Sequence, residues 1–230
     1  MLIGEDTNVH TLRGDRKAGA LARTNETFYG FTWSQDRIVY GRVTAESAGE
    51  QELLRVVLDN GKSLLVSPGS ILLRRDGEKT AMSNKSFSSG LSVMPLYLSE
   101  TTNNYPTFRQ VTERRSDAPA PSDRKPWRSV ARMVLEHKTG EPLQPGFLVR
   151  HLDGDRRNCH PENLNLEGRL QKYPRRNKMR HHIEVQQMTV PGNHKVLGYE
   201  TWGTEPVVRL VPVDCTSVAV GEIFMVTHGS

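Results

Sequence analysis

The chain has 230 residues, 36% hydrophobic and 25% charged, with 19 glycines and 13 prolines. That composition suits one large soluble domain or two modest ones and excludes collagen, coiled coil and wholesale disorder. The formal charge is +5, and two cysteines, Cys159 and Cys215, are too few for a disulfide scaffold or a four-cysteine zinc site.

The most apolar stretch, Val207 to Val213, is broken by Arg209 and Pro212, far short of the ~20 residues of a membrane helix. The start, Met1-Leu2-Ile3-Gly4-Glu5-Asp6, has neither a basic leader nor an apolar run. The expectation is therefore a cytoplasmic monomer with no membrane partner.

In chain order, Phe28–Trp33, Arg37–Thr44 and Ile71–Arg74 read as strands, the last stopped by Asp76-Gly77. Glu52–Leu58 and Ser63–Val66 flank Asp59-Asn60-Gly61, a hairpin signal because Asn and Gly tolerate positive φ. From Ser99 the chain turns polar, and Ser116–Asp123, rich in Pro, Ala and Ser, reads as a linker or exposed loop. Tyr105, Phe108 and Arg109, between Tyr97 and Arg128, either follow a nucleic-acid groove or simply pack.

Ser129 is placed to cap a helix over Val130–Lys138, with Val130, Met133, Val134 and His137 on one face and Gly140 as the stop. Phe147–Leu152 and Leu164–Leu166 are predicted strands, and a basic helix interrupted near Pro174 starts at Leu170. Strands return at His194–Tyr199, Pro206–Val213 and Ser217–Val226. The tail matches the N-terminal segment in composition, so a β domain interrupted by a basic insert is expected.

Arg124 to His182 carry fourteen Lys and Arg against six Asp and Glu, while the remainder is net negative. Such a run is either a solvated basic face or a surface that neutralises phosphates through Arg156, Arg157, Arg169, Lys172, Arg175, Arg176, Lys178 and Arg180. Within it lies Val149-Arg150-His151-Leu152-Asp153-Gly154-Asp155-Arg156-Arg157-Asn158-Cys159-His160-Pro161-Glu162-Asn163-Leu164. A histidine ending a strand, before an Asp-Gly turn and among arginines, is placed to take a proton from water beside a phosphate. Taken alone, such a histidine is more often structural. Asn158 and His160 are expected to form turns and caps.

This stretch resembles the His-Asn-His (HNH) endonuclease motif in its phage-type variant, Arg-His-Leu-Asp-Gly-Asp, then Asn, then Pro-Glu-Asn-Leu, over about Trp127 to His182. The resemblance implies a ββα unit that grips one divalent ion, Mg²⁺ or Mn²⁺, and cuts double-stranded DNA. It implies His151 as the general base and Asn163 as the central Asn that holds the loop, with the metal polarising the scissile phosphate. Two positions depart from the pattern. Arg150 stands where many members carry a ligand; it cannot bind a metal and joins the DNA contacts instead. Lys172 occupies the position of the last ligand, leaving Asn177, His181 and His182 as the nearest substitutes, with Asn177 and His182 the expected ligands.

Gly4-Glu5-Asp6-Thr7, the strands around Asn60-Gly61, Ser67 to Gly77 and Gly221 to Ser230 resemble the hedgehog/intein (Hint) module. Every splicing position departs from that family. Met1 replaces the nucleophile, Ser67 and Ser70 replace the Thr and His of Thr-x-x-His, Thr216 replaces a His and Gly229 the terminal Asn; only His228 and Ser230 remain of the closing run. Without a nucleophile there is no acyl shift, and without the Asn amide no cyclisation.

The expected fold class is α+β: a mostly-β Hint-like horseshoe at 1–100 and 190–230, interrupted by a ββα-metal HNH nuclease domain with its linker at 101–189. The expected function is a homing-type DNA endonuclease descended from an intein that no longer splices. The rivals are a DNA-binding protein that has lost its metal and a protein-processing element.

Overall fold

The computed structural model describes residues 1–35, 37–82, 90–101, 103–109, 127–144, 146–169 and 194–226. Strands β1 (Leu2–Gly4), β2 (Asn8–Thr11) and β3 (Gly14–Lys17) precede helix α1 (Ala18–Thr24). Next come β4 (Phe28–Ser34), β5 (Arg37–Leu58), β6 (Ser63–Val66), β7 (Ile71–Leu73), β8 (Lys79–Ala81) and β9 (Leu91–Val93). A second group holds β10 (Tyr97–Glu100), β11 (Pro106–Arg109), β12 (Trp127–Ser129), helix α2 (Val130–Thr139), β13 (Phe147–His151) and β14 (Leu164–Arg169). The chain closes on β15 (His194–Pro212), β16 (Ser217–Val220) and β17 (Ile223–Val226).

The first and last groups share one 12-stranded sheet in the order β8-β7-β17-β16-β2-β4-β5-β6-β1-β15-β9, with β3 on β2 and a further β5–β15 pairing. Early and late strands interleave, so this sheet is complete only when both parts of the chain are present. Its backbone is the antiparallel pair of β5 and β15, in register from Leu58↔Val196 to Val43↔Pro212. Register shifts at Val196/Gly198, Thr201/Gly203 and Pro206/Val208 bend the ribbon.

The Asn60-Gly61 hairpin forms as its turn chemistry predicts. Gly61 has φ of 79°, and the Asn60 Oδ1 accepts from the Lys62 N–H at 3.0 Å. In α2 the Ser129 hydroxyl accepts from the Arg132 N–H at 3.4 Å, and Gly140 ends the helix in the left-handed region with φ of 75°. Val130, Met133 and Val134 are buried as the helical face requires, whereas His137 is exposed and stacks edge-on to Tyr40.

Three expectations change. Arg37–Thr44 and Glu52–Leu58 are parts of one strand of 22 residues, and His194–Tyr199 and Pro206–Val213 likewise merge into one of 19. The polar stretch from Ser99, expected to begin a linker or exposed loop, instead contributes to a three-stranded sheet, β10-β11-β12; Asn103 and Asn104 lie in the β10–β11 turn, where Asn104 takes φ of 60°. Phe108 is fully buried, which makes it a packing residue. The expected linker at 116–123 and the basic helix from Leu170 lie outside the described residues.

Two apolar cores result. One fills the large sheet with Ile3, Val43, Val56, Leu58, Val208, Ile223 and their neighbours. The other is shared: Leu12, Phe31, Ile38, Phe224 and Val226 from the large-sheet part pack with Phe108, Val130, Val134, Cys159 and Leu164 from the second group. Burial of each such side chain stabilises by about 1.5–3 kcal/mol, so the second group is fastened to the large sheet.

Candidate active site

The hairpin of β13 and β14 pairs His151 with Leu164, Arg150 with Asn165 and Val149 with Leu166. Alternation along the strand sends His151 toward the face of Leu164 and the shared core, and Arg150 toward the opposite, exposed face. The connection between the strands is a run of side-chain-to-backbone turns. Asp153 accepts from the Asp155 N–H at 2.9 Å, Asp155 from the Arg157 N–H at 2.9 Å, and Asn158 from the His160 N–H at 3.2 Å. These Asp and Asn side chains stand in for backbone acceptors where no strand partner exists.

Asn163 ties this connection shut. Its amide nitrogen donates to the Asp153 Oδ1 and the Asn158 carbonyl, both at 2.8 Å, and its Oδ1 accepts from the Asp153 N–H at 3.0 Å. Its own carbonyl accepts from the Leu152 N–H at 2.8 Å. Asn163 thus fixes the two residues that follow His151 without touching the imidazole. Asn158 and His160 act as turn and cap: Asn158 donates to the Asp153 Oδ2 at 2.7 Å, and the His160 Nδ1 accepts from the Glu162 N–H at 3.3 Å. Bonds from Asn158 and Asn163 hold the Asp153 carboxyl below its usual range.

His151 is 8% exposed. Its Nε2 lies 4.0 Å from the Sγ of Cys159, and among the described residues its Nδ1 has no hydrogen-bond partner. Burial lowers the imidazole pKa, opposed in part by Asp153 and Asp155, so the ring is neutral near neutrality, the state a proton acceptor needs. The Cys159 thiol is pushed up to about 12 by burial and stays protonated. The Cys159 N–H donates to the carbonyl of Leu12 at 2.9 Å, which docks the connection onto the large sheet. His160 adds an edge-on contact to Tyr29 at 5.0 Å.

The expected phosphate contacts divide. Arg150 is exposed on β13. The Arg156 guanidinium stands 4.9 Å over the ring of Tyr105 and donates to the Asn103 carbonyl at 3.3 Å. Arg157 donates twice to the Glu100 Oε2, at 3.1 and 3.3 Å. Arg169 ends β14 opposite Phe147. Lys172, Arg175, Arg176, Lys178 and Arg180 lie outside the described residues, as do Asn177, His181 and His182. Glu100 and Cys159 are not legible as site residues, because a strand-end acid and a lone thiol carry no spacing signal; Tyr105, read as a groove or packing residue, stands beside His151 and Arg156.

The described residues do not fit a metal centre. No group of three His, Cys, Asp or Glu side chains converges among them. Both Asp153 oxygens are occupied by hydrogen bonds, and Arg150 is a cation where a ligand would stand. No helix among the described residues is long and apolar enough to cross a membrane.

A second cluster lies at the chain start. The Ser67 N–H donates to the Leu2 carbonyl at 3.1 Å, the Ser70 hydroxyl reaches the same oxygen at 3.4 Å, and the two hydroxyls are 3.2 Å apart. The two serines thus meet the Leu2 carbonyl through the Ser67 N–H and the Ser70 hydroxyl. His228, Gly229 and Ser230 lie outside the described residues.

Residues 128–169 match the family described as HNH endonuclease. Over the whole chain the fold is that of inteins. A mutant of the Ssp DnaB mini-intein superposes with a TM-score of 0.52 at 8% identity, covering 99% of each chain. A DnaB intein from Synechocystis sp. PCC 6803 gives 0.50 at 8% identity, covering 99% of this chain and 98% of that one. The DnaX mini-intein from Spirulina platensis gives 0.50 at 6% identity, covering 99% of this chain and all of that one (100%). No curated protein matches the sequence. The chain therefore carries an HNH endonuclease segment within a mostly-β, intein-like fold.

Proposed function

We propose that this protein is a homing-type DNA endonuclease, cytoplasmic and monomeric, built on an intein-like scaffold that no longer splices. The observation that carries the reading is the match of residues 128–169 to the HNH endonuclease family, with His151 buried at the end of β13 just before a connection that Asn163 locks. In this role the Nδ1 of His151, without a partner among the described residues, takes a proton from water as that water attacks the phosphorus of a DNA phosphodiester. The P–O bond to the leaving sugar breaks, and that oxygen takes a proton from solvent. Arg150 and Arg156 contact the backbone on either side of the scissile group and neutralise its charge. Arg157, Arg169 and the Lys172–Arg180 basic run extend the phosphate contacts, without reading sequence. Mg²⁺ or Mn²⁺ is the cofactor of this reading, with Asn177 and His182 as ligands, and the described residues contribute none. Domain limits at 1–100 with 190–230, and at 101–189, belong to the same proposal.

Arg150, a cation where a ligand of the family would stand, favours a second reading, in which the protein binds DNA and cuts nothing. Supercoiled plasmid incubated with the protein and Mg²⁺ or Mn²⁺ separates the two. The nuclease reading predicts nicked or linear product that EDTA abolishes. Retarded but intact plasmid under every condition supports the second reading.

A further inference from the structure

The residues that close the candidate site come from outside the segment that matches the HNH family. Tyr105 precedes β11, ahead of residues 128–169. It follows the β10–β11 turn, which is fixed by a Tyr105 N–H to Thr101 hydroxyl bond of 3.1 Å and an Asn104 N–H to Thr101 carbonyl bond of 2.9 Å. The Tyr105 ring touches two partners. Its centroid is 6.0 Å from that of His151 at an angle of 52°, and the Arg156 guanidinium stands 4.9 Å above it. The same turn accepts from Arg156 through the Asn103 carbonyl, and β10 anchors Arg157 through Glu100. Three residues of the β10–β11 hairpin therefore hold three residues of the nuclease hairpin, and the aromatic member is the one next to the imidazole.

We propose that Tyr105 is a positioning residue of the nuclease site, which walls the ring of His151 from bulk water and holds Arg156 at its phosphate-facing place. The inference rests on the nuclease reading for its consequence in catalysis, but the wall itself does not. The hydroxyl plays no part in either contact, so a phenylalanine should serve and a small residue should not. Among the described residues, the charged and titratable groups around His151 besides Tyr105 are Asp153, Asp155, Arg156 and the Cys159 thiol. All five belong to the two hairpins and the connection, so the wall can be tested without disturbing the large sheet.

The first measurement is the rate at which diethyl pyrocarbonate modifies His151 in the DNA-free full chain, read by peptide mass spectrometry. Tyr105→Ala should raise that rate severalfold and Tyr105→Phe should leave it unchanged, with His137 as an internal reference that neither variant moves. The second is plasmid nicking. Tyr105→Ala should raise KM for DNA by about two- to fivefold as Arg156 loses its exposed cation–π partner. It should also lower kcat by about tenfold or more as the base loses its position, and Tyr105→Phe should restore both. Circular dichroism melting identifies any variant that fails to fold, and Tyr105→Leu, which keeps bulk without the ring face, then takes the place of the alanine. An unchanged His151 modification rate in folded Tyr105→Ala overturns the proposal. A wild-type protein that never nicks DNA while the modification pattern holds leaves the wall standing and removes the nuclease reading instead.

Discussion

Phe108 offers the sharpest test of how the segment that matches the HNH family is attached. Its side chain is fully buried in the middle of β11, between Leu98 of β10 and Arg128 of β12. It shares its core with Phe31, Ile38 and Phe224 of the large sheet and with Val134 and Leu164 of the second group. Truncation to alanine removes a large aromatic side chain from a packed site, a loss of about 3–5 kcal/mol. That is a large part of the roughly 5–15 kcal/mol that keeps a domain folded. For a chain of this size each kcal/mol moves Tm by about 2–4 °C, so a fall of roughly 6–20 °C is expected. Differential scanning calorimetry should show one transition for both proteins, displaced as a whole, because the core spans both groups. Val56→Ala, in the other core, should displace the same transition by a smaller amount. An early, separate transition in Phe108→Ala with the main one unmoved would refute the shared-core argument.

Other consequences follow from the same contacts. A fragment of residues 97–169 expressed alone exposes Phe108, Val134 and Leu164 and should aggregate or remain unfolded by circular dichroism; a stable, soluble fragment contradicts the shared core. Burial lowers the pKa of His137, His151 and His160, so the unfolded chain binds more protons between the folded values and the usual histidine value. Stability should therefore rise with pH through that window, and Tm should fall on acidification from roughly pH 7 to pH 5. Asp15 and Asp153 have lowered values, so their contribution persists through that range and is lost only on further acidification through the carboxylate range; His151→Asn should reduce the slope of the first window, leaving the share of His137 and His160. Asn163→Ala removes three side-chain hydrogen bonds around the connection. It should lower nicking by about 10–100-fold, with DNA retention in a gel shift nearly unchanged. The chain placed between two carrier proteins should yield no ligated product, because Ser67 and Ser70 stand where Thr-x-x-His would be and put no imidazole at the Leu2 carbonyl.

Where the sequence could be read, the reason is local. The Asn60-Gly61 turn, the Ser129 cap and the Gly140 stop each depend on the conformational preference of one or two residues, and each formed as expected. The His151-to-Asn163 stretch was equally legible, since its turns are built from Asp and Asn bonding to backbone two residues on. The failures are long-range. Ala45 to Gln51 is mostly polar and alternates poorly, yet it is strand because β15 supplies its partners, and Gly49 absorbs a left-handed φ of 75° within it. The polar run after Ser99 resembled a linker because only Phe108 marks its core, and that residue needed partners from both ends of the chain to become buried. Tyr105 is legible only as a residue that follows a groove or packs, since its neighbour, the imidazole 6.0 Å away, is distant in sequence.

The central claim is that His151 removes a proton during cleavage and does not merely support the fold. His151→Ala and wild type should be compared on one plasmid substrate with Mg²⁺ or Mn²⁺, with binding and cutting read from the same samples. The account predicts equal retardation of the plasmid and a loss of cutting by about 100-fold or more in the variant. Undiminished cutting by a folded His151→Ala protein would contradict it.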